Sequence, residues 1–578
     1  MPATSSALLF AYGTLMRGYG LHAVLARAAT AVGPGTARGR LLDLGRYPGL
    51  VDGSGRVSGE VYRLDDPELL PVLDREEGYN FVRRQGIVTL ADADPQRRLP
   101  PCSATGRAAR DEVFTREGSM AMTAAELIKA DQDHLIHPLH HPIDNAEPVI
   151  YVRGRGAMIQ DIGGHEMLDG LSGLWNVNVG HGRAELADAA AAQMKELAYF
   201  SAYVGSSNIP AISLASKLVE LAPDMHGIFF STGGAEANES AFKTARFYWK
   251  AKGKPDKIKV IARQQAYHGV TQQAMSATGM PAYWKMFEPR MPGFVHIPTC
   301  YPYRVQEGKP GETAGQTAAR LLEEAILREG ADTVAAFIAE PIHGGGGVIY
   351  PTDDYFPLVR EICTRHEVLF IADEVITGFC RTGRWFATSH WNVKPDIRSF
   401  AKGVTSGYLP LGGIMVSRDI KETIDGVKPE DRWMHAYTYS GHPTCCAVGL
   451  KNIEIMERER LWENAATMGN RLLAGLQQAF KDHPNAGDIR GGKGLLAALE
   501  LVEDKATKKN LAADRKVAPR IQAEMMKRGV ITRVRPVAGA HPAPGDTVYF
   551  APPLVVTGAE VDRLVSVTRD AVKAVLGV

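Results

Sequence analysis

The chain has 578 residues, 45% hydrophobic and 23% charged, with a formal net charge of +1. That is soluble globular composition, too long for one ordinary core and outside the disordered and collagen-like classes. So even a charge balance gives no electrostatic argument for nucleic acid or a membrane surface as partner. Six cysteines, Cys102, Cys300, Cys363, Cys380, Cys445 and Cys446, form no CxxC pair, which reads as free thiols in a reducing cytosol rather than disulfides or a zinc site. The opening MPATSSALLFAYG lacks a basic region and its apolar run is too short for a signal peptide. No apolar run elsewhere is long enough to span a bilayer, so a cytoplasmic protein is expected.

From Ala7 to about Leu90 the pattern is short strands and turns. Strands are predicted at Leu8 to Tyr12, Arg40 to Leu44, Gly59 to Leu64 and Arg84 to Leu90, the makings of a small α+β or barrel-like domain over 1–92. In order and spacing, FAYGTLMRG, GRYPGLVDG, VSGEVYRL and LDREEGYNFVRR resemble the gamma-glutamylcyclotransferase-like family, most closely its gamma-glutamylamine cyclotransferase branch. The resemblance implies that Tyr12, Gly13, Thr14 and Leu15 bind a gamma-glutamyl group through backbone donors, and that Glu77 is the general acid/base. From residue type alone Glu76 would serve as well. The implied reaction needs no metal: a carboxylate takes a proton from the substrate's α-amine, which attacks its own γ-carbonyl, closing 5-oxoproline and releasing an amine.

The following stretch, DADPQRRLPPCSATGRAARDEVFTREGS, is rich in Pro, Arg and Asp without apolar period, and reads as a linker over 93–121. His134, His137, His140 and His141 come next, but Pro138 and Pro142 break the helix that would align them and no Cys or carboxylate completes a set at a known ligand spacing. No metal site is expected there. Beyond Met122, apolar runs alternate with helix-length amphipathic stretches: HGIFFSTGG, KIKVIAR, VAAFIAEP, VLFIADEV, DIRSFAKG and LGGIMVS. That βα rhythm predicts a doubly wound α/β sheet over about 180–451. Long helices with a few strands, GLLAALEL and TVYFAPPL among them, follow from about Asn452 and predict a second, α+β lobe made of 122–179 and 452–578.

Two residues stand out in the α/β region. Asp373 closes the β-branched run of VLFIAD, and Lys402 follows the run in DIRSFAKG. Ligands bind outside the carboxyl ends of parallel strands, so two such ends can meet in one crevice. A lysine paired with a carboxylate there suggests pyridoxal phosphate: the amine holds it as a Schiff base, and the acid keeps its ring nitrogen protonated. Singly, each residue is more often a solvated charge or a turn residue. Gly233 and Gly234, opening a helix in STGGAEANES, supply a phosphate seat of backbone N–H groups and positive dipole. The stretch is neither GxGxxG nor a P-loop.

STGGAEANES, AYHGVT, IAEPIHGGGGVIYP, IADEVITGFCRTG, PDIRSFAKGVTSGY and YTYSGHPTCC resemble the class III (omega) aminotransferases of the fold-type I pyridoxal phosphate enzymes, over nearly all of 122–578. The resemblance implies that Lys402 is the Schiff-base lysine and proton shuttle, that Asp373 pairs with the pyridine nitrogen, and that Val375 and Tyr267 cover the two ring faces. It implies that Gly234 and Ala235, the latter where the family often has serine, bind phosphate. Thr438 is expected to reach the phosphate of the partner subunit, which implies a homodimer or a tetramer built from two. Trp175 is expected in the substrate pocket, and Arg533 on the carboxylate of the keto acid, with Arg535 on the same strand face as the alternative. Glu340 and the Gly344 to Gly347 run read as structural, shaping a tight turn. The expected function is transfer of an amino group from an amine to a keto acid, pyruvate in the first instance. The N-terminal domain either releases that amine from a gamma-glutamyl amide or is a silent binding or assembly module.

Overall fold

The computed structural model describes residues 8–11, 29–43, 48–64, 84–86, 88–90, 102–104, 122–305, 307–537 and 544–578. The chain forms two compact units, Met1–Pro148 and Val149–Val578.

The first unit holds a six-stranded sheet in the order Arg84–Gly86, Cys102–Ala104, Leu8–Ala11, Pro48–Leu64, Ala29–Asp43, Val88–Leu90. Its spine is the long antiparallel pair Ala29–Asp43 and Pro48–Leu64, whose register shifts at Ala31/Gly33 and Arg38/Arg40. The strand predicted at Gly59 to Leu64, and that predicted from Arg40 as far as Asp43, are parts of this pair. Gly33, Pro34 and Gly35 sit in a strand beside a register shift, where an extra residue bends a strand without ending it. Cys102–Ala104 pairs parallel with Leu8–Ala11, so a stretch that reads as linker holds a strand of this sheet. Three residues amid Pro, Arg and Ser carry no period to betray a strand. Helix Ala124–His134 begins at a capping box, with Thr123 accepting from the Glu126 N–H and the Glu126 side chain accepting from the Thr123 N–H.

The second unit is built on a seven-stranded sheet, in the order Gly227–Ser231, Gly412–Val416, Ile397–Phe400, Leu369–Asp373, Val334–Ala339, Lys259–Arg263, Phe294–Ile297. All neighbours pair parallel except Gly412–Val416, which is antiparallel to both strands beside it. The stretch from Lys402 to Leu411 contains no crossover helix to carry the chain back for a parallel return, so it reverses directly.

Val334–Ala339 and Leu369–Asp373 are buried at every residue, as strands covered on both faces must be. Alternation sorts their side chains: Phe337, Ala339, Phe370 and Ala372 pack with helices Ala314–Glu329 and Tyr355–Arg365. Ala336, Ile338, Leu369 and Ile371 pack with helix Gly234–Ala251 on the other face. The smaller α+β lobe pairs Ala486–Arg490, Ala497–Leu501, Asp546–Phe550 and Arg533–Arg535 antiparallel. A further sheet joins both ends of this unit, with Glu166–Asp169 parallel to Val530–Ile531. No helix among the described residues is long and apolar enough to cross a membrane.

Candidate active site

Four strand ends open on one cavity of about 390 Å³, lined by Gly233, Gly234, Ala235, Asn238, Tyr267, His268, Glu340, Asp373, Val375 and Lys402 among others. Each arrives for a local reason. Asp373 is the last residue of its strand, and Lys402 lies two residues beyond Ile397–Phe400. Lys402 has φ of 47°, the left-handed region that lysine rarely adopts. Such a backbone costs about 1–3 kcal/mol and persists where the surroundings impose it, commonly at a functional site. Burial holds the Lys402 amine below its ordinary pKa and the Arg533 charge lowers it further, while Asp373 and Glu340 oppose both.

Asp373 is 3% exposed. Burial alone would push its carboxyl up, but the hydrogen bond and charge of His268, with further bonds from Asn238 and Val375, hold it below the usual carboxylate range. His268 Nδ1 lies 2.7 Å and Asn238 Nδ2 2.8 Å from Oδ2, while the Val375 N–H donates to Oδ1 at 3.1 Å. Glu340 is also buried, and burial pushes its carboxyl up. It accepts from the Tyr267 and Gly344 N–H groups at 3.0 and 2.9 Å, tying the Tyr267 loop to the glycine turn. The glycines are needed there, since a Cβ on Gly346 would stand 1.8 Å from the Gln265 carbonyl oxygen.

Helix Gly234–Ala251 points its N-terminus at the cavity, and its cap, Gly233, makes no side-chain cap bond. A Cβ on Gly233 would meet nothing within 4 Å, whereas one on Gly234 would come 2.8 Å from Val375 Cγ1. The site therefore holds an uncapped helix N-terminus, a charged carboxylate and a buried amine, with Tyr267 and Val375 both in the wall. That donor set fits pyridoxal phosphate: N–H groups for its phosphate, a carboxylate for its ring nitrogen, an amine for its aldehyde.

The structure brings together Gly234, Ala235, Tyr267, Asp373, Val375 and Lys402 in this wall. Thr438 is exposed and does not line it; its carbonyl accepts from Tyr199 Oη at 2.8 Å. Trp175 is also absent from the wall, being buried against Tyr549 with ring centroids 5.7 Å apart, and Asn176 lines the cavity instead. Arg535 is tied to the Gly346 carbonyl and Gln265 Oε1, whereas the charge of Arg533 is felt at Lys402 and Tyr267. Asn238 and His268 escaped the sequence reading. The available signal was their place beside residues already singled out, Asn238 one helical turn beyond Gly234 and His268 next to Tyr267. Tyr12, Gly13, Thr14, Leu15 and Glu77 lie outside the described residues.

Comparison with known proteins agrees with this geometry. The family model for aminotransferase class-III matches residues 141–572, and that for gamma-glutamyl cyclotransferase, AIG2-like, matches residues 9–102. A putrescine–pyruvate aminotransferase of Pseudomonas aeruginosa is 39% identical over 441 residues, 76% of this chain and 94% of that one. A taurine–pyruvate aminotransferase of Bilophila wadsworthia is 39% identical over 450 residues, 77% and 97% of the two chains. The crystal structure of an (S)-enantioselective omega-transaminase from Thermomicrobium roseum superposes with a TM-score of 0.74 at 45% identity, covering 79% of this chain and all (100%) of that one. The chain belongs to the pyridoxal phosphate-dependent class III aminotransferases of fold type I, and carries a gamma-glutamyl cyclotransferase, AIG2-like domain at its N-terminus.

Proposed function

We propose that this chain is a bifunctional enzyme. Its larger part moves an amino group from an amine to a keto acid, pyruvate by preference, and its N-terminal domain releases an amine from a gamma-glutamyl amide as 5-oxoproline. One observation carries the first half: Lys402 and Asp373 share a cavity wall with the uncapped N-terminus of Gly234–Ala251. Pyruvate is favoured by two relatives, a putrescine–pyruvate and a taurine–pyruvate aminotransferase.

Pyridoxal phosphate, when bound, supplies an electron sink conjugated to the nitrogen being transferred. The residues do the rest. Backbone N–H groups of Gly234 and Ala235 hold the phosphate, with no serine hydroxyl at 235 to help. Asp373, kept charged by His268 and Asn238, holds a proton on the ring nitrogen. Tyr267 and Val375, both in the cavity wall, would cover the faces of the ring. Lys402 Nζ, its pKa lowered by burial, is free of a proton more of the time and takes one from the substrate carbon bearing the nitrogen. Arg533 binds the keto acid's carboxylate. Glu77, with the Tyr12 to Leu15 loop, serves the N-terminal reaction.

The site is completed by a second copy of the chain. Thr438 and its neighbours Tyr199 and Tyr439 are exposed, the two rings 6.0 Å apart, as are Phe200, Val204 and Ile209. A patch of this kind on a soluble protein marks an interface. In a homodimer, or a tetramer of two dimers, it lets Thr438 reach the partner's phosphate. The proposed domain limits are 1–92, then a segment 93–121 that contributes the strand Cys102–Ala104, then 122–578. The five free cysteines found buried among the described residues accord with a cytoplasmic protein.

A second reading has its own support: the P. aeruginosa relative is matched over 94% of its length by 76% of this chain, about the share that the aminotransferase match at 141–572 occupies. That domain would then be a silent binding or assembly module. Incubation with a gamma-glutamyl alkylamine and pyruvate separates the two. The bifunctional reading expects 5-oxoproline followed by an aldehyde, and no 5-oxoproline refutes it. The transaminase half is tested alone by adding amine without keto acid, which should abolish the visible absorbance of the bound cofactor.

A further inference from the structure

A second cleft, of about 540 Å³, shares no lining residue with the Lys402 cavity. Its wall includes Asp224, Arg384, Trp385, Lys394, Arg398 and Trp462. The indoles of Trp385 and Trp462 are partly buried, with centroids 5.8 Å apart and planes tilted by 44°. Arg384 and Lys394 are exposed beside them.

The guanidinium of Arg398 is the unusual member. It is 3% exposed and lies 4.5 Å over the Phe386 ring. Its Nη2 is 3.1 Å from Asp224 Oδ2 and 3.2 Å from Thr388 Oγ1, but Nη1 and Nε are buried with no hydrogen-bond partner. The nearest other carboxylate, Glu374, stands 3.8 Å from Nε and is engaged with the Ala387 and Thr388 N–H groups and the Thr377 and Thr388 hydroxyls. Buried polar groups nearly always find partners, so this guanidinium, which lines the cleft with Nη1 unpartnered and Nε held only by Glu374 at 3.8 Å, carries a charge the protein matches incompletely.

We propose that this cleft binds a small aromatic carboxylate. The charge of the wall favours an anion, with three cations, Arg384, Lys394 and Arg398, against the one carboxylate of Asp224. The two partly buried tryptophans favour a flat apolar body, which stacks on them while its carboxylate turns to the guanidinium and ammonium groups. The volume lies within the roughly 300–1,000 Å³ typical of small-molecule sites, and suits one or two fused rings. Neither a simple carboxylate, which leaves the indoles in water, nor a neutral arene, which leaves the cations unmatched, uses both halves of the wall.

The test uses the cofactor-loaded enzyme and ligand-observed saturation-transfer NMR, with 1-naphthoate as probe and 1-naphthalenemethanol as its neutral counterpart. The proposal expects saturable naphthoate binding, at least tenfold weaker for the alcohol. Binding should weaken at least tenfold in a double variant of two exposed positions, Arg384→Glu with Lys394→Glu, and be unchanged in Arg533→Gln. It is overturned by absent or non-saturable binding, by equal affinity for the alcohol, or by binding that survives the double charge reversal. Loss in Arg533→Gln alone would place the probe in the substrate site, and overturns it equally.

Discussion

Arg533 and Arg535 share one face of a three-residue strand, and the structure separates them. Arg535 Nη1 donates to the Gly346 carbonyl and its Nη2 to Gln265 Oε1, bracing the glycine turn against the loop that carries Tyr267. Arg533 is the arginine whose charge acts on Lys402. A guanidinium holding a carboxylate makes two parallel charge-assisted hydrogen bonds, and each bond to a charged group is worth about 1.5–3 kcal/mol. Arg533 is only partly buried, so water replaces part of what is lost and the lower end applies, about 3 kcal/mol for the pair. At 1.4 kcal/mol per factor of ten, Arg533→Gln should lower kcat/KM for pyruvate roughly 100-fold. Rapid-mixing single turnovers resolve the halves. Nitrogen uptake from an amine that has no carboxylate should change less than about threefold, because that substrate makes no such pair. Arg535→Gln should instead slow both halves alike, by loosening the turn. The assignment is refuted if Arg535→Gln is the variant selective for pyruvate, or if Arg533→Gln slows both halves equally.

Asp373→Asn removes the charge that His268 and Asn238 support, and should slow nitrogen uptake at least about tenfold to 100-fold, the worth of one hydrogen bond between charged groups; an unchanged single-turnover rate contradicts its place on the ring nitrogen. Gly234→Ala drives a Cβ to 2.8 Å from Val375 Cγ1; overpacking of about 1–3 kcal/mol should weaken cofactor binding about fivefold to 100-fold in equilibrium dialysis, and adding Val375→Ala should recover part of the loss. Lys402→Ala should abolish amine transfer and the visible absorbance of bound cofactor yet leave 5-oxoproline release intact, while Glu77→Gln should do the reverse; joint loss in either variant speaks against two independent sites. The pH dependence of cofactor loading follows from the lowered pKa of Lys402, whose neutral amine is the reactive form. The rate should rise with pH and level off before 10.5, the ordinary value for lysine, and a rise continuing past that value, followed by stopped-flow absorbance, would show an unshifted amine.

What the sequence discloses and what it withholds divide along one physical line. Lys402, Asp373 and Gly234 stand where an element begins or ends, and such places are punctuated locally: an apolar run stops at an acid, a glycine pair precedes a helix. The residues that tune them are not local. His268 and Asn238 meet Asp373 across 105 and 135 positions of chain, and neither leaves a period in its own neighbourhood. The choice between Arg533 and Arg535 was open in the sequence because period 2 puts both on one face; only the clamp from Gly346 and Gln265 distinguishes them. Topology shows the same division. The strand Gly412–Val416 was visible as an apolar run, but its antiparallel direction depends on what the chain does between Lys402 and Leu411. Trp175 marks the limit: Ser172, Gly173 and Trp175 all have positive φ, a backbone no propensity specifies. Asp169, accepting from the Leu171 and Gly173 N–H groups, and Arg381, donating to Ser172 Oγ, hold it from other elements. A motif therefore locates the reacting groups, while their charge state, orientation and selectivity come from contacts that only the folded chain assembles.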